Sequence, residues 1–205
     1  NLIPAALGLR AGMQFWNAHA KPRTLPDDAL IWNGMMKRYL SLWLPNWPLT
    51  RLRRAQTNHL AAQTQASSYD TDKTGPLPFV LVETGAHGLC VASANKAAQA
   101  IGLTEGLAFT DAKARAPYLH HQDIDRAADA KALEALAKWL IRFAPLVALD
   151  GRNGIMLETT GCDHLYGGEL AMMKEIASIL QREQIPHRMG MASTQVAASA
   201  LARGA

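Results

Sequence analysis

Three groups of side chains in this sequence have the types and spacing to do chemistry. The first is basic. Lys37, Arg38, Arg51, Arg53 and Arg54 lie close together in a stretch, residues 29–69, that holds no Asp or Glu. Clustered cations of this kind give affinity for phosphates without reading sequence, so they are candidates for a DNA-backbone or partner-protein surface. The second group is acidic. Asp150 opens the run Asp150-Gly-Arg-Asn-Gly154, and Glu158 follows it. Paired carboxylates can hold divalent ions or move protons, but the glycines around Asp150 make it a turn residue, and Glu158 reads as structural or solvent-facing. The third group is soft. Cys90 and Cys162 are the only cysteines and neither sits in a Cys-x-x-Cys pair. His87-x-x-Cys90 is the nearest approach to a ligand pair, while His120-His121 and His164 have no partners at metal-binding intervals. No metal site is expected from spacing.

The elements that must position these groups follow from the apolar pattern. Residues 39–44, Tyr-Leu-Ser-Leu-Trp-Leu, read as a buried strand stopped by Pro45. Pro48 suits the first turn of a helix reaching to about residue 66, and residues 66–77 read as a polar loop. Phe79–Glu83 and Leu89–Ala92 form a hairpin. Short helices follow near 94–101 and 109–116, the second capped by Thr110. Asp125 caps a helix at 126–143 with Leu133, Leu136, Leu140 and Phe143 on one stripe. Strands at Leu146–Leu149 and Ile155–Thr159 bracket the turn. A helix at 168–182 presents Leu170, Met173, Ile176, Ala177 and Leu180, a strand runs His187–Met191, and Ser193 or Thr194 caps a last helix.

Set in order, these elements make a βαββαβ chain of the ferredoxin-like α+β class, with an insertion after the first strand. The sequence places a poorly defined leader at 1–36, the discontinuous main domain at 37–54 and 118–205, and the inserted part at 55–117. The chain has 205 residues, 49% apolar and 19% charged, enough for a packed core. Lys plus Arg number 21 and Asp plus Glu 17, a net charge of +4. The excess is concentrated: residues 1–54 hold eight Lys or Arg against Asp27 and Asp28. No apolar run is long enough to span a bilayer and the N-terminus has no secretory pattern. With two unpaired cysteines, a reducing cytoplasm is expected. The first residue is Asn, Met35-Met36 precede the first strand, and the chain ends inside a helix pattern. A fragment is therefore expected, with translation starting at those methionines.

Several segments resemble the Y-family translesion DNA polymerases of the UmuC/DinB type. Arg38-Tyr-Leu-Ser-Leu-Trp-Leu-Pro-Asn-Trp-Pro48 is similar to their opening strand. Ala92-Ser-Ala-Asn-Lys-Ala-Ala-Gln-Ala-Ile-Gly-Leu103 resembles their fingers segment, and Leu157-Glu-Thr-Thr-Gly161 the close of their catalytic hairpin. Gly161-Cys-Asp-His-Leu-Tyr-Gly-Gly-Glu169 is most similar to the ImuB subgroup, and Gly190–Ala202 resembles the helix start after the last palm strand. The resemblance covers about residues 37–205. It implies that 37–54 and 118–205 are a palm and 55–117 the fingers inserted in it.

The resemblance also implies where a catalytic site would stand. Active members hold two divalent ions with an Asp on the first strand and an Asp-Glu pair on the hairpin; those positions fall on Leu42, Asn153 and Gly154, and the adjacent metal-lining position on Leu44. The Tyr and Arg that reach the triphosphate fall on Lys96 and Gln99, the aromatic that screens the ribose on Trp47, and the Lys of the late Asn-Lys motif on Gln195. Catalytic residues are therefore expected to be none, with no metal and no cofactor. The implied function is a non-catalytic scaffold in damage-induced, SOS-type translesion mutagenesis, cytoplasmic and nucleoid-associated. Its partners would be DNA, the sliding clamp, ImuA and an error-prone replicative-type polymerase. The alternative is a divergent but active translesion polymerase using Mg²⁺.

Overall fold

The computed structural model describes residues 37–62, 77–86 and 88–204, with the side chains of 57–62 left aside. The leader at 1–36, the polar loop over 66–76, the end of the first helix beyond 62, and His87 lie outside the described residues. The chain divides into two compact units. One runs through Pro45 and resumes at Ala132; the other is Asn46–Lys131.

The first unit is built on a four-stranded sheet. Its strands are β1 (Tyr39–Trp43), β5 (Leu146–Leu149), β6 (Gly154–Glu158) and β7 (Arg188–Ala192), ordered β5-β6-β1-β7 with antiparallel neighbours. This is the order of the ferredoxin-like split βαβ, and the α+β class read from the sequence holds. Side chains alternate along each strand, so register sorts them by face. Leu40 and Leu42 share a face with their partners Leu157 and Ile155, and all four are fully buried. Each such side chain contributes about 2 kcal/mol of hydrophobic stabilisation.

Two crossover helices supply the matching apolar stripes: α5 (Glu169–Arg182), and α4 (Arg126–Leu140), which begins in the second unit and continues from Ala132 in the first. On α4, Asp125 caps as expected, its Oδ1 accepting from the Ala128 amide at 2.9 Å, and Leu133, Leu136 and Leu140 are buried. The helix stops at Leu140 rather than 143, and Phe143 is buried in the turn that follows. On α5 the buried stripe is Met172, Ile176 and Leu180, at successive i+4 steps, and Leu170 is 65% exposed. The expected stripe is therefore corrected: Ile176 and Leu180 lie on it, Met173 and Ala177 flank it half-buried, and Met172 takes the place expected of Leu170. A short 3₁₀ turn (Asp163–Tyr166) precedes this helix.

The last helix, α6 (Gln195–Gly204), is capped by Thr194, whose Oγ1 accepts from the Ala197 amide at 3.2 Å. It lies against β7 at Gly190. A Cβ there would sit 2.5 Å from the Ala198 carbonyl oxygen and 2.6 Å from the Ala202 nitrogen. Only glycine permits this approach.

The second unit carries α1 (Trp47–Ala62) and a three-stranded sheet. Strands β2 (Phe79–Gly85) and β3 (Gly88–Ala94) pair antiparallel, and β4 (His120–Asp123) adds parallel to β2. Two short helices, α2 (Lys96–Ala100) and α3 (Phe109–Arg115), complete it. Its core is Val80, Val82, Val91, Ala94, Ala98, Leu103, Ala112 and Leu119. The Asn95 carboxamide ties helix to sheet: its Oδ1 accepts from the Ala98 and Phe79 amides at 2.8 and 3.1 Å, and its Nδ2 donates to the Leu77 carbonyl. Helix α3 is not capped by Thr110. Ala108 stands at the cap position without a side-chain bond, and Thr110 lies inside the first turn.

Candidate functional site

Strand register brings the three metal positions implied by the resemblance to one end of the sheet. Trp43 pairs with Gly154, Leu42 with Ile155, and the Leu44 amide donates to the Asn153 carbonyl at 2.8 Å. Leu42, Asn153 and Gly154 are thus neighbours, as a clustered site requires. Their chemistry is wrong for a divalent ion. Leu42 and Leu44 are fully buried hydrocarbons. Asn153 offers only a neutral amide. Gly154 has no side chain and no room for one: a Cβ would lie 2.5 Å from the Asp150 carbonyl oxygen. Mg²⁺ or a similar ion needs several hard oxygen ligands at this point, and among the described residues no group of three His, Cys, Asp or Glu is placed to hold a metal. The residues present do not fit a metal pair.

Both carboxylates near the hairpin are committed elsewhere. Asp150 closes the β5–β6 turn, its amide donating to the Gly154 carbonyl at 2.8 Å. Its Oδ2 accepts from Arg203 Nη1 at 3.0 Å and from Ser199 Oγ at 3.3 Å, and Arg203 also donates to Ser199. Asp150 is therefore more than the turn residue read from sequence. Glu158, at the other end of β6, pairs with Lys37 at 3.5 Å, and this partner holds the Lys37 amine above its ordinary range. Beside Asp150 a groove of about 530 Å³ runs between the β5–β6 strands and α6. Its lining includes Leu149, Met156, Gln195, Val196 and Arg203. Arg188, in register with Trp43 on the other flank, places its guanidinium 5.5 Å from the Trp43 ring centre.

The nucleotide-pocket equivalents belong to the second unit. Trp47 is 2% exposed, and its indole Nε1 donates to the Asp129 carbonyl at 3.0 Å. It is a core anchor. Lys96 is exposed at the start of α2. Gln99 Nε2 donates to the Ala94 carbonyl at 2.8 Å, so its amide is engaged with the backbone.

The basic cluster is divided between the units and largely paired. Lys37 and Arg38 belong to the first unit. Arg38 makes a two-pronged contact with Glu169, Nη2 to Oε2 at 2.7 Å, which raises the guanidinium above its ordinary value. Arg51, Arg53 and Arg54 lie on α1 in the second unit. Arg51 donates from Nε to Asp129 Oδ1, and neither Arg53 nor Arg54 is without a partner. What sequence reasoning missed is Arg203, Ser199 and Arg188. No local pattern joins Asp150 to a residue on the last helix, so nothing short of the packed sheet reveals the pair.

Comparison with known proteins gives a family and a fold. The family model for the impB/mucB/samB family matches residues 72–203. Protein ImuB of Caulobacter vibrioides, in two strains, is 50% identical over 103 residues, which is 50% of this chain and 22% of that protein. Among solved structures, DinB from Sulfolobus solfataricus aligns with a TM-score of 0.60 at 15% identity, over 82% of this chain and 46% of that one. An insertion ternary complex of Dbh DNA polymerase gives 0.59 at 16%, with the same coverage. The chain thus spans under half the length of the polymerases it matches in fold and about a fifth of the curated relative.

Proposed function

The chain belongs to the impB/mucB/samB family, and from that premise we propose that it is the non-catalytic, Y-family-like part of a protein acting in DNA repair and damage-induced translesion mutagenesis. It serves as a scaffold that binds DNA and other proteins. The observation that carries this reading is the hairpin end, where Leu42, Asn153 and Gly154 are neighbours and offer no carboxylate. Phosphoryl transfer by two metals has no ligands there. A palm kept intact without that chemistry retains a shape that engages a duplex and its partner proteins.

By resemblance the partners are DNA, the sliding clamp, ImuA and an error-prone replicative-type polymerase. The candidate phosphate contacts are Lys37 and Arg38 in the first unit and, separately, Arg53 and Arg54 on α1 in the second, whose affinity would fall steeply with salt; Arg51 is taken up by Asp129. Lys96, at the head of α2, is a further point charge for phosphate. The setting is the bacterial cytoplasm at the nucleoid; among the described residues no helix is long and apolar enough to cross a membrane.

Primer extension tests the reading. The full-length parent is assayed with Mg²⁺ and separately with Mn²⁺, and inert behaviour in both is expected. Extension that is lost on Asp150→Asn or Glu158→Gln would overturn it and establish a divergent working polymerase.

A further inference from the structure

We propose that the Arg203 guanidinium is the resident cation of the hairpin end, so that this end of the sheet is closed to divalent ions by a fixed positive charge as well as by the missing carboxylates. The inference rests on the non-catalytic reading and deepens it.

Position carries the argument first. The Cβ that Gly154 lacks would fall 3.2 Å from Arg203 Nη2 and 2.5 Å from the Asp150 carbonyl oxygen. The guanidinium therefore borders the space into which a side chain at this hairpin position would grow. Charge carries it next. Asp150, the carboxylate of this turn, is matched by Arg203 Nη1 at 3.0 Å and by the Ser199 hydroxyl at 3.3 Å. Arg188 brings a second guanidinium to the same end, 5.5 Å from the Trp43 ring centre. A divalent ion approaching the turn meets like charge rather than an open acid.

A guanidinium differs from a metal in what it can do. It holds one geometry through directed hydrogen bonds and has no exchangeable coordination positions. It neutralises Asp150 and steadies the turn, and it offers nothing to a reacting phosphate in the way an open metal does. Restoring carboxylates alone would leave this charge in place.

The test is thermal unfolding of the 205-residue chain in EDTA and in about 10 mM Mn²⁺, for the parent, Arg203→Gln and the double variant Asp150→Asn/Arg203→Gln. The parent midpoint is expected not to respond to metal. Arg203→Gln is expected to melt lower in EDTA and to recover by about 1 °C in Mn²⁺, because the uncovered Asp150 carboxylate then attracts the ion as a counter-charge, without a coordination site being formed. The double variant, lacking the anion, is expected to lose that response. An Arg203→Gln protein that ignores Mn²⁺, or a parent that responds as strongly, overturns the proposal. Should Arg203→Gln fail to fold, Arg203→Lys keeps the charge with a different shape. It is expected to remain indifferent to Mn²⁺, and a metal response from it would overturn the charge argument. Primer extension by the parent would sink the non-catalytic reading; a flat Mn²⁺ response of Arg203→Gln would sink only the assignment of Arg203.

Discussion

Among the described residues an arginine–aspartate pair stands in each unit, and the two pairs are not equivalent. In the second unit Arg51 meets Asp129, with side chains 19% and 6% exposed. Asp129 also receives the Trp47 indole on its backbone carbonyl, and its Oδ2 is buried without a partner among the described residues. In the first unit Arg203 meets Asp150, with both side chains about a third exposed. Burial separates their roles. A charge taken out of water and left alone is costly, so the Arg51 pair is part of the unit's frame. The half-exposed pair contributes little to stability; its consequence lies in where it puts positive charge.

The largest expected effect tests the first half of that contrast. Arg51→Met leaves the Asp129 carboxylate buried and unmatched, and urea titration should register a loss of about 3 kcal/mol. A loss below about 1 kcal/mol would mean that Asp129 is solvated after all. Gly190→Ala comes next. Its methyl would enter the α6 backbone, and a loss of about 2 kcal/mol is expected on the same titration. Arg203→Gln should cost about 1 kcal/mol or less in metal-free buffer. A cost equal to that of Arg51→Met would erase the distinction between frame and site. The smallest effect belongs to Lys37→Ala, which should leave the melting temperature unchanged at neutral pH. The amine is held above its ordinary value by Glu158. Any stability it lends is present below the ordinary lysine range and is lost only as pH rises through the raised value. Parent and Lys37→Ala curves should therefore run parallel between pH 7 and 9, a window set well below that range, and a divergence there would show the pair to be stronger than its exposure allows.

Much of the first unit was legible in the sequence because its elements carry clean periods. Strand β1 is short, apolar and stopped by Pro45; helix α4 has a cap and a leucine stripe. Strand β4 was not legible. His120–Asp123 is exposed at every position and pairs with β2 in parallel, so it has neither alternation nor a hairpin partner nearby. The stripe on α5 was misjudged because Met172 anchors it while Leu170 faces outward. The candidate positions Leu42, Asn153 and Gly154 came from a family resemblance, and spacing alone would not have singled out a leucine, an amide and a glycine. The pairs that give the site its present character, Arg203 with Asp150 and Arg51 with Asp129, join residues far apart in the chain. Long-range ion pairs leave no local signature, since any arginine could serve any aspartate until the backbone is placed.

Gly190 has a consequence for how such a site can change over time. The missing side chain seats Ala198 and Ala202 directly on β7, and this seat acts as a fulcrum for the helix. Arg203 follows Ala202 by one residue, so its reach to Asp150 is set by the seat and not by Arg203 itself. A bulkier residue at any of the three small positions would tilt the helix and withdraw the guanidinium from the turn. The placement of the charge is therefore inherited as a unit. Drift at Arg203 alone can remove it, but moving it elsewhere would need coordinated replacement of the strand glycine and both helix alanines, a far narrower path.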